Sequence, residues 1–333
     1  MIIKKVSLVD FRIHEQYVLE CEDETSLILG ENGCGKTSVL EAIYEACRGK
    51  SFRAVDREIV RRGADFYRIE VEYIDGEKIV VTYDNTTQKK NFIIGGRKWA
   101  RLPKKYKYPV VLFLPDDLHL VASSPTHKRD YFDRILAELD SGYNDSLSKY
   151  NKALKQRNEL LKSDYVAAEM LFSWNILLAR YGVELRRKRA EFVAELNGEL
   201  TDTYRSIAEN EDEVTLDYLY DSVSESAYLA RLETDFQRDC VLGHTGYGMH
   251  RDNYNFIFNG VDADGSASRG EVRSMILAMK FIEAKLVSAQ TGRRPIILLD
   301  DVFSELDAKR QECLVKNFKN NQVIITSVEK IEN

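Results

Sequence analysis

The spacing of apolar residues divides the chain into a strand-rich beginning, a helical middle and a mixed end. Up to about residue 112, apolar positions alternate or form short runs, as in residues 69–73 and 78–83. Asp75-Gly76, which lies between these two runs, is a hairpin turn signal. This part of the chain is therefore predicted to form antiparallel strands.

The middle of the chain has a different period. From about residue 126 to 210, apolar positions recur at helical spacing, and no proline interrupts them. We expect helices over residues 129–139, 145–161 and 167–200, the last either continuous or broken. Trp174 and the pair Tyr131-Phe132 are expected to pack in the core of these helices.

Strand signals return after about residue 213. Residues 296–299 and 323–325 are short, wholly apolar runs of the kind found in buried parallel strands. The order of elements predicts an α/β fold. One lobe is expected to combine residues 1–115 with 212–333, and a mainly helical lobe, residues 116–211, is inserted between them.

Composition narrows the class of protein. No apolar run is long enough to span a bilayer, and the N-terminus is not typical of a signal peptide. The five cysteines are scattered, without metal-ligand or disulfide spacing, so a reducing cytoplasm is the expected compartment. The net charge of −6 argues against indiscriminate polyanion binding.

Residues 30–37 read Gly-Glu-Asn-Gly-Cys-Gly-Lys-Thr and fit the phosphate-binding loop G-x-x-x-x-G-K-[ST]. An apolar strand precedes the loop and a helical pattern follows it, which is the context that the motif requires. Lys36 is expected to reach the β and γ phosphates of ATP, and the hydroxyl of Thr37 to hold Mg²⁺. The alternative is a glycine-rich turn without a ligand.

A second chemical feature lies at the end of the apolar run 296–299, where Asp300 and Asp301 follow in sequence. Asp300 is expected to bind Mg²⁺, through water, and Asp301 to orient or deprotonate the attacking water. Alternatively, the two carboxylates belong to an acidic helix cap.

Residues 268–273, Ser-Arg-Gly-Glu-Val-Arg, precede a helix predicted over 274–286 and resemble the signature of ABC-type ATPases. Alone, such a serine is usually only a helix cap. In ABC-type ATPases this segment contacts the γ-phosphate bound by a second subunit. The resemblance therefore implies an ATP-dependent homodimer with two composite sites.

Several further segments, in the same order along the chain, resemble the RecF family of bacterial recombination-repair ATPases. The segments that carry the resemblance are Asp10-Phe11-Arg12, residues 50–53, 114–118, 124–133, 248–252 and 298–307. The resemblance implies an ABC-type, SMC-like head that binds double-stranded or gapped DNA and supports recombinase loading with RecR and RecO. It also implies roles in DNA replication and the SOS response, and slow ATP hydrolysis.

The motifs and the resemblance together define the candidate site. The candidate catalytic residues are Lys36, Asp300 and Asp301, and the candidate metal ligands are Thr37 and Asp300. The candidate nucleotide-binding residues are Gly30, Glu31, Asn32, Gly33, Cys34, Gly35, Lys36, Thr37, Ser38, Arg12, Ser268 and Gly270.

Two residues near the candidate nucleotide-binding set differ from the RecF family pattern. Glu271 replaces a glutamine of the usual signature and places a carboxylate near the expected γ-phosphate site, which would weaken dimerisation. Met249 replaces a proline in residues 248–252, where His250 is expected either to line the nucleotide site or to stabilise its loop.

DNA contacts are expected from a basic segment, residues 97–107. Its positive residues are Arg97, Lys98, Arg101, Lys104, Lys105 and Lys107. The alternative is an exposed hairpin whose lysines serve solubility. Arg53, Arg57, Arg61 and Arg62 form a second basic run, in which Arg57 and Arg61 would share a face if the segment is helical.

Two other functions are compatible with the same motifs. One is the motor domain of an ABC transporter, which the large helical insertion and the missing switch histidine disfavour. The other is an SMC-like switch that acts through protein partners and does not bind DNA.

Overall fold

A computed structural model describes residues 2–163 and 165–328 of the chain. The chain forms two compact units, the first built from Met1–Asp117 and Glu283–Asn333 and the second from Leu118–Ile282. Residues 329–333, which were expected to belong to the α/β lobe, lie outside the described residues.

The elements before residue 118 belong to the first unit. They are β1 (Ile3–Phe11), β2 (His14–Glu20), β3 (Thr25–Leu29), α1 (Lys36–Arg48), α2 (Asp56–Ile59), β4 (Phe66–Tyr73), β5 (Lys78–Asp84), β6 (Lys89–Ile94), β7 (Arg97–Trp99) and β8 (Val110–Phe113). The following elements are α3 (Pro125–Leu139), α4 (Ser141–Leu161), α5 (Ala168–Ala208), β9 (Val214–Leu219), α6 (Glu225–Thr234), α7 (Phe236–Leu242), β10 (Asn253–Phe258), β11 (Val261–Asp262) and α8 (Arg269–Thr291). The chain then forms β12 (Ile296–Asp300), α9 (Ala308–Phe318) and β13 (Val323–Ser327).

The first unit contains an antiparallel sheet with the strand order β2-β1-β4-β5-β6-β7. The predicted hairpin is confirmed as β4–β5, because the amide of Gly76 donates to the carbonyl of Tyr73 in the turn. Gly76 has a φ of +83°, a conformation that favours glycine. Buried residues alternate with partly exposed ones along β4, because one face of the strand is covered.

A parallel sheet with the order β3-β13-β12-β8 forms the other layer of this unit. Every residue of β8, β12 and β13 is buried, which explains their wholly apolar sequence runs. Helix α1 contacts strands of both sheets, and nearly all of its residues are buried. The phosphate loop at its N-terminus is therefore attached to the core of the unit.

The second unit is built on the long antiparallel pair α4 and α5. Its interior contains ion pairs as well as apolar side chains. Arg157 is fully buried and contacts Asp239 at 2.7 Å, and the buried Arg189 contacts Asp133 at 2.8 Å. Such pairs are costly to break, because removing one partner leaves a buried charge uncompensated.

The division into units differs from the predicted lobes at its C-terminal boundary, which falls at residue 282 rather than 211. The reason lies in α5, whose side chains pair with the backbone of β9 as a neighbouring strand would. The amide of Asn197 bonds both the N–H and the carbonyl of Leu216, and the hydroxyl of Thr201 does the same with Val214. The strands after residue 212 are thereby joined to the helices.

Other expectations require correction. The helix predicted over 167–200 is continuous and extends to Ala208. Trp174 is partly exposed rather than a core residue, whereas Tyr131 and Phe132 are buried as expected. Helix α2 ends at Ile59, so Arg61 does not share a helical face with another arginine and instead pairs with Asp10.

Candidate functional site

The predicted phosphate loop connects β3 to α1, as expected. Gly33 and Gly35 have φ values of +84° and +97°, which side chains rarely adopt. A Cβ atom on Gly35 would lie 2.4 Å from Nε2 of His14, and one on Gly30 would lie 2.5 Å from Sγ of Cys34. The loop geometry therefore requires these glycines. The segment Glu31–Cys34 between them is exposed and accessible to a ligand.

Lys36 extends back over this loop from the first turn of α1. Its ammonium lies 2.9 Å from the carbonyl oxygen of Gly30 and 3.2 Å from that of Glu31. The carboxylate of Asp301 is 3.6 Å away, and the lysine side chain is almost completely buried. The positive charge is thus held at the loop, where a phosphate group would be bound.

Thr37 and Asp300 meet beside the loop. The hydroxyl of Thr37 donates to Oδ1 of Asp300 at 2.8 Å, and the hydroxyl of Thr326 donates to the same oxygen at 3.0 Å. Burial raises the pKa of Asp300, although the two hydroxyl bonds oppose this shift. This hydrogen bond, like the ion pair of Lys36 and Asp301, connects the phosphate-loop motif directly to the acidic pair.

The pair Thr37–Asp300 fits a magnesium ion. The hydroxyl of Thr37 would be a direct oxygen ligand, and the Asp300 carboxylate, which accepts from that hydroxyl at 2.8 Å, would hold the ion through water. No group of three or more His, Cys, Asp or Glu side chains within residues 2–163 and 165–328 is placed to hold a metal ion.

Asp301 has a φ of +51°, an uncommon conformation for a residue with a side chain. Its amide donates to the hydroxyl of Thr326 at 2.9 Å, so Thr326 bonds both members of the acidic pair. Thr326 was not among the predicted site residues. The only sequence feature that marks it is that it is a polar residue directly after the apolar run 323–325.

Arg12, a predicted nucleotide contact, lies beside α1 and forms a fork with Glu41 through bonds of 2.8 and 2.7 Å. Arg53 and Ser51 bond the same carboxylate, and a second nitrogen of Arg53 lies 3.3 Å from the hydroxyl of Ser38. Burial alone would raise the pKa of Glu41, but the hydrogen bonds and the arginine charges lower it. Glu41 thus anchors two arginines close to the loop, a role that no sequence motif indicates.

Ser268 and Gly270 belong to the second unit. Helix α8 starts at Arg269 rather than at the predicted residue 274, and Ser268 is its exposed N-terminal cap. The hydroxyl of Ser268 accepts from the amide of Glu271 at 3.3 Å, and Glu271 accepts from the amide of Ser268 at 2.6 Å. These reciprocal bonds form a capping box, so the Glu271 carboxylate stabilises the helix start.

The chain is similar to known proteins over nearly its whole length. The family described as RecF/RecN/SMC N terminal domain matches residues 2–332. The DNA replication and repair protein RecF of Clostridium perfringens is 32% identical over 335 residues, covering 98% of this chain and 92% of that protein. RecF of Agathobacter rectalis is 34% identical over 333 residues, with the same coverage. The chain belongs to the RecF family.

A solved structure, described as the recombination mediator protein RecF-ATP in the RecFOR pathway, has a TM-score of 0.86 to this chain. It is 26% identical and covers 100% of this chain and 93% of that chain. The predicted fold class, an α/β ABC-type head of the SMC kind with a second lobe, is confirmed. No helix in the described part of the chain is long and apolar enough to cross a membrane.

The segment of residues 248–252 that resembles the RecF family lies in the second unit. Nδ1 of His250 accepts from the hydroxyl of Tyr150 at 2.8 Å, and Nε2 lies 3.0 Å from the carbonyl of Thr245, to which it donates in this tautomer. Burial lowers the pKa of His250 to about 4. Of the two expectations for His250, these bonds favour stabilisation of its loop.

The basic segment of this RecF family member consists of β7, at one edge of the antiparallel sheet, and the turn that follows it. All six predicted DNA-contacting side chains are exposed; they are Arg97, Lys98, Arg101, Lys104, Lys105 and Lys107. Trp99 is 37% exposed between them. The segment is therefore available to a polyanion, while its role in binding DNA stays a prediction.

Proposed function

We propose that this protein is a DNA repair and recombination ATPase that binds ATP and Mg²⁺ at the phosphate loop. The observation that carries the proposal is the 2.8 Å contact between Thr37 and Asp300, with the Lys36 ammonium at the same loop. These groups match the needs of a nucleoside triphosphate: a cation for the phosphates, and oxygen ligands for the metal. Family membership and the RecF-ATP relative support the same ligand.

The role proposed for each residue of the site follows from where it lies relative to the phosphate loop. Lys36 contacts the β and γ phosphates, and Thr37 and Asp300 hold Mg²⁺, which neutralises charge that develops on the phosphate oxygens. Asp301 orients the attacking water and accepts its proton. Arg12 and Arg53 supply positive charge beside the loop, held in place by Glu41.

The finer part of the proposal is an ATP-dependent homodimer. The exposed cap residue Ser268, together with Gly270, contacts the γ-phosphate bound by the phosphate loop of a second copy. ATP then links the two copies, and hydrolysis separates them. Ser268→Arg should leave nucleotide binding intact and abolish dimerisation with ATP, as measured by analytical ultracentrifugation. A variant that still dimerises with ATP would exclude this composite site.

The dimer is proposed to act as a DNA clamp that binds without sequence preference, at gaps or junctions. Support comes from the exposed basic segment and from the relatives, which are named DNA replication and repair proteins. The partners proposed by family resemblance are RecR and RecO, with which the clamp would support recombinase loading.

Duplex-DNA binding, measured by fluorescence anisotropy at physiological salt with ATP, with ADP and without nucleotide, tests the clamp. Tighter binding with ATP alone is the expected result. If the protein binds ATP but binds DNA in none of the three states, the clamp is wrong. The alternative, a nucleotide switch that acts through protein partners, would then be preferred.

A further inference from the structure

The second unit contains a pocket of about 520 Å³ that none of the proposed roles uses. The polar and aromatic residues that line it include Arg186, Tyr218, Tyr220, Asp221, Tyr247 and Arg251. Arg251 belongs to the segment 248–252 that resembles the RecF family. Pockets of a few hundred cubic ångströms suit a ligand the size of one nucleotide.

A column of stacked tyrosine rings reaches this pocket from the core. Tyr254 is fully buried, and its ring stacks on Tyr218 at 4.8 Å and 24°, because the two residues are paired between β9 and β10. Tyr218 in turn stacks on Tyr220 at 4.6 Å and 16°. Tyr220 is partly exposed and lines the pocket, so a planar ligand there would continue the column.

The two arginines of the pocket, Arg186 and Arg251, differ in burial and in ion pairing. Arg186 is buried and forms a fork with Asp252 at 2.6 and 2.9 Å, so its charge is already paired and it forms a rigid wall. Arg251 is exposed, and no carboxylate in residues 2–163 or 165–328 lies within ion-pair distance of it. Its neighbour His250 is fixed by Tyr150 and Thr245, which holds the loop that carries Arg251.

We propose that this pocket binds one unpaired nucleotide of a DNA strand. The base stacks on Tyr220, and Arg251 contacts the adjoining phosphate, a combination of aromatic face and cation that is typical of single-strand binding. Asp221, which also lines the pocket, suits an exocyclic amine of the base, since an ionised carboxylate is an acceptor only. The site rests on the proposed DNA-binding role and deepens it, because it gives a structural reason for preferring gapped DNA over a continuous duplex.

Two alanine variants and two conservative controls test this site. Anisotropy is measured on a continuous duplex and on the same duplex with a short single-stranded gap. Tyr220→Ala and Arg251→Ala should each weaken binding to the gapped DNA by about 10-fold, with continuous-duplex affinity and ATP turnover unchanged. Tyr220→Phe keeps the ring and Arg251→Lys keeps the charge, so both should retain most of the preference.

A direct probe separates this site from the clamp. In a single-stranded oligonucleotide with one 2-aminopurine, stacking on Tyr220 should quench the fluorescence, and Tyr220→Ala should restore it. This measurement does not require duplex binding, so the pocket can be tested even if the clamp is wrong. Unchanged affinity for gapped DNA in both alanine variants would overturn the proposal. Quenching by free 2-aminopurine nucleotide but not by the oligonucleotide would also overturn it.

Discussion

At the scale of single residues, Lys36 and Asp301 lie 3.6 Å apart but have different proposed roles. Lys36→Ala removes the ammonium at the phosphates and should abolish measurable nucleotide binding, a loss of about 2–5 kcal/mol. Asp301→Asn keeps the shape and should still bind ATP, because it removes the proton acceptor and the negative charge beside Lys36 but no group proposed to contact the phosphates. Its turnover should fall by about 10²–10⁴-fold and leave a long-lived dimer.

Titration with a fluorescent ATP analogue and an assay of phosphate release separate these two effects. If Asp301→Asn hydrolyses ATP at the parental rate, the carboxylate does not orient or deprotonate the attacking water. Thr326→Val is a useful companion, because Thr326 bonds both Asp300 and Asp301 without being placed at the phosphates.

His250 makes a pH-dependent contribution to stability. Its pKa is about 4 in the folded protein and about 6.5 in an unfolded chain, so only the unfolded chain binds a proton between these values. Stability is therefore fully present above about pH 6.5 and falls as the pH drops towards 4, by about 3 kcal/mol in all. Urea unfolding at several pH values measures this decrease.

The control for this experiment is His250→Gln, which cannot titrate. Between pH 6.5 and pH 4.5 its stability should fall less steeply than that of the parent, by up to about 1.4 kcal/mol per pH unit. Parallel pH profiles for the two proteins would contradict a neutral buried His250.

At the scale of elements, α5 offers a matched pair of glycines. A Cβ atom on Gly182 would lie 2.8 Å from the hydroxyl oxygen of the buried Tyr228, whereas one on Gly198 would meet nothing within 4 Å. Gly182→Ala should therefore destabilise the second unit by about 1–3 kcal/mol. Gly198→Ala should stabilise it by about 0.5–1 kcal/mol, since alanine favours an exposed helix.

Unfolding is best followed in a Trp99→Phe background, in which Trp174 on α5 reports the second unit alone. If both alanine variants shift the unfolding midpoint in the same direction, the contact with Tyr228 does not decide the choice of glycine at residue 182.

The elements also show which features the sequence could predict. Strands β12 and β13 were predictable because both faces are buried, and the phosphate loop was predictable because its glycines, lysine and threonine are contiguous. Glu41 and Thr326 were not, because their partners lie far away along the chain and meet them only in the fold. The boundary between the two units at residue 282 depends on side chains such as Asn197, which bond the backbone of a strand. The spacing of apolar residues does not indicate such bonds.

At the scale of the whole molecule, DNA binding has to overcome a net charge of −6. A long-range attraction to DNA is therefore not expected from the protein as a whole, and any contact with phosphates must come from a local concentration of positive charge. The exposed edge at β7 provides such a concentration, whereas many other basic side chains are already paired with carboxylates.

The basic residues of the β7 edge should affect DNA binding more than net charge does. Replacing Arg97, Lys98 and Arg101 with alanine should weaken duplex-DNA binding at physiological salt. It should also reduce the slope of log affinity against log salt by about 0.9 for each DNA phosphate that these side chains neutralise. The control replaces the exposed Lys309, Lys316 and Lys319 with alanine, which changes the net charge equally. If both variants show the same decrease in affinity and slope, net charge rather than the β7 edge governs binding, and the DNA-contacting surface lies elsewhere.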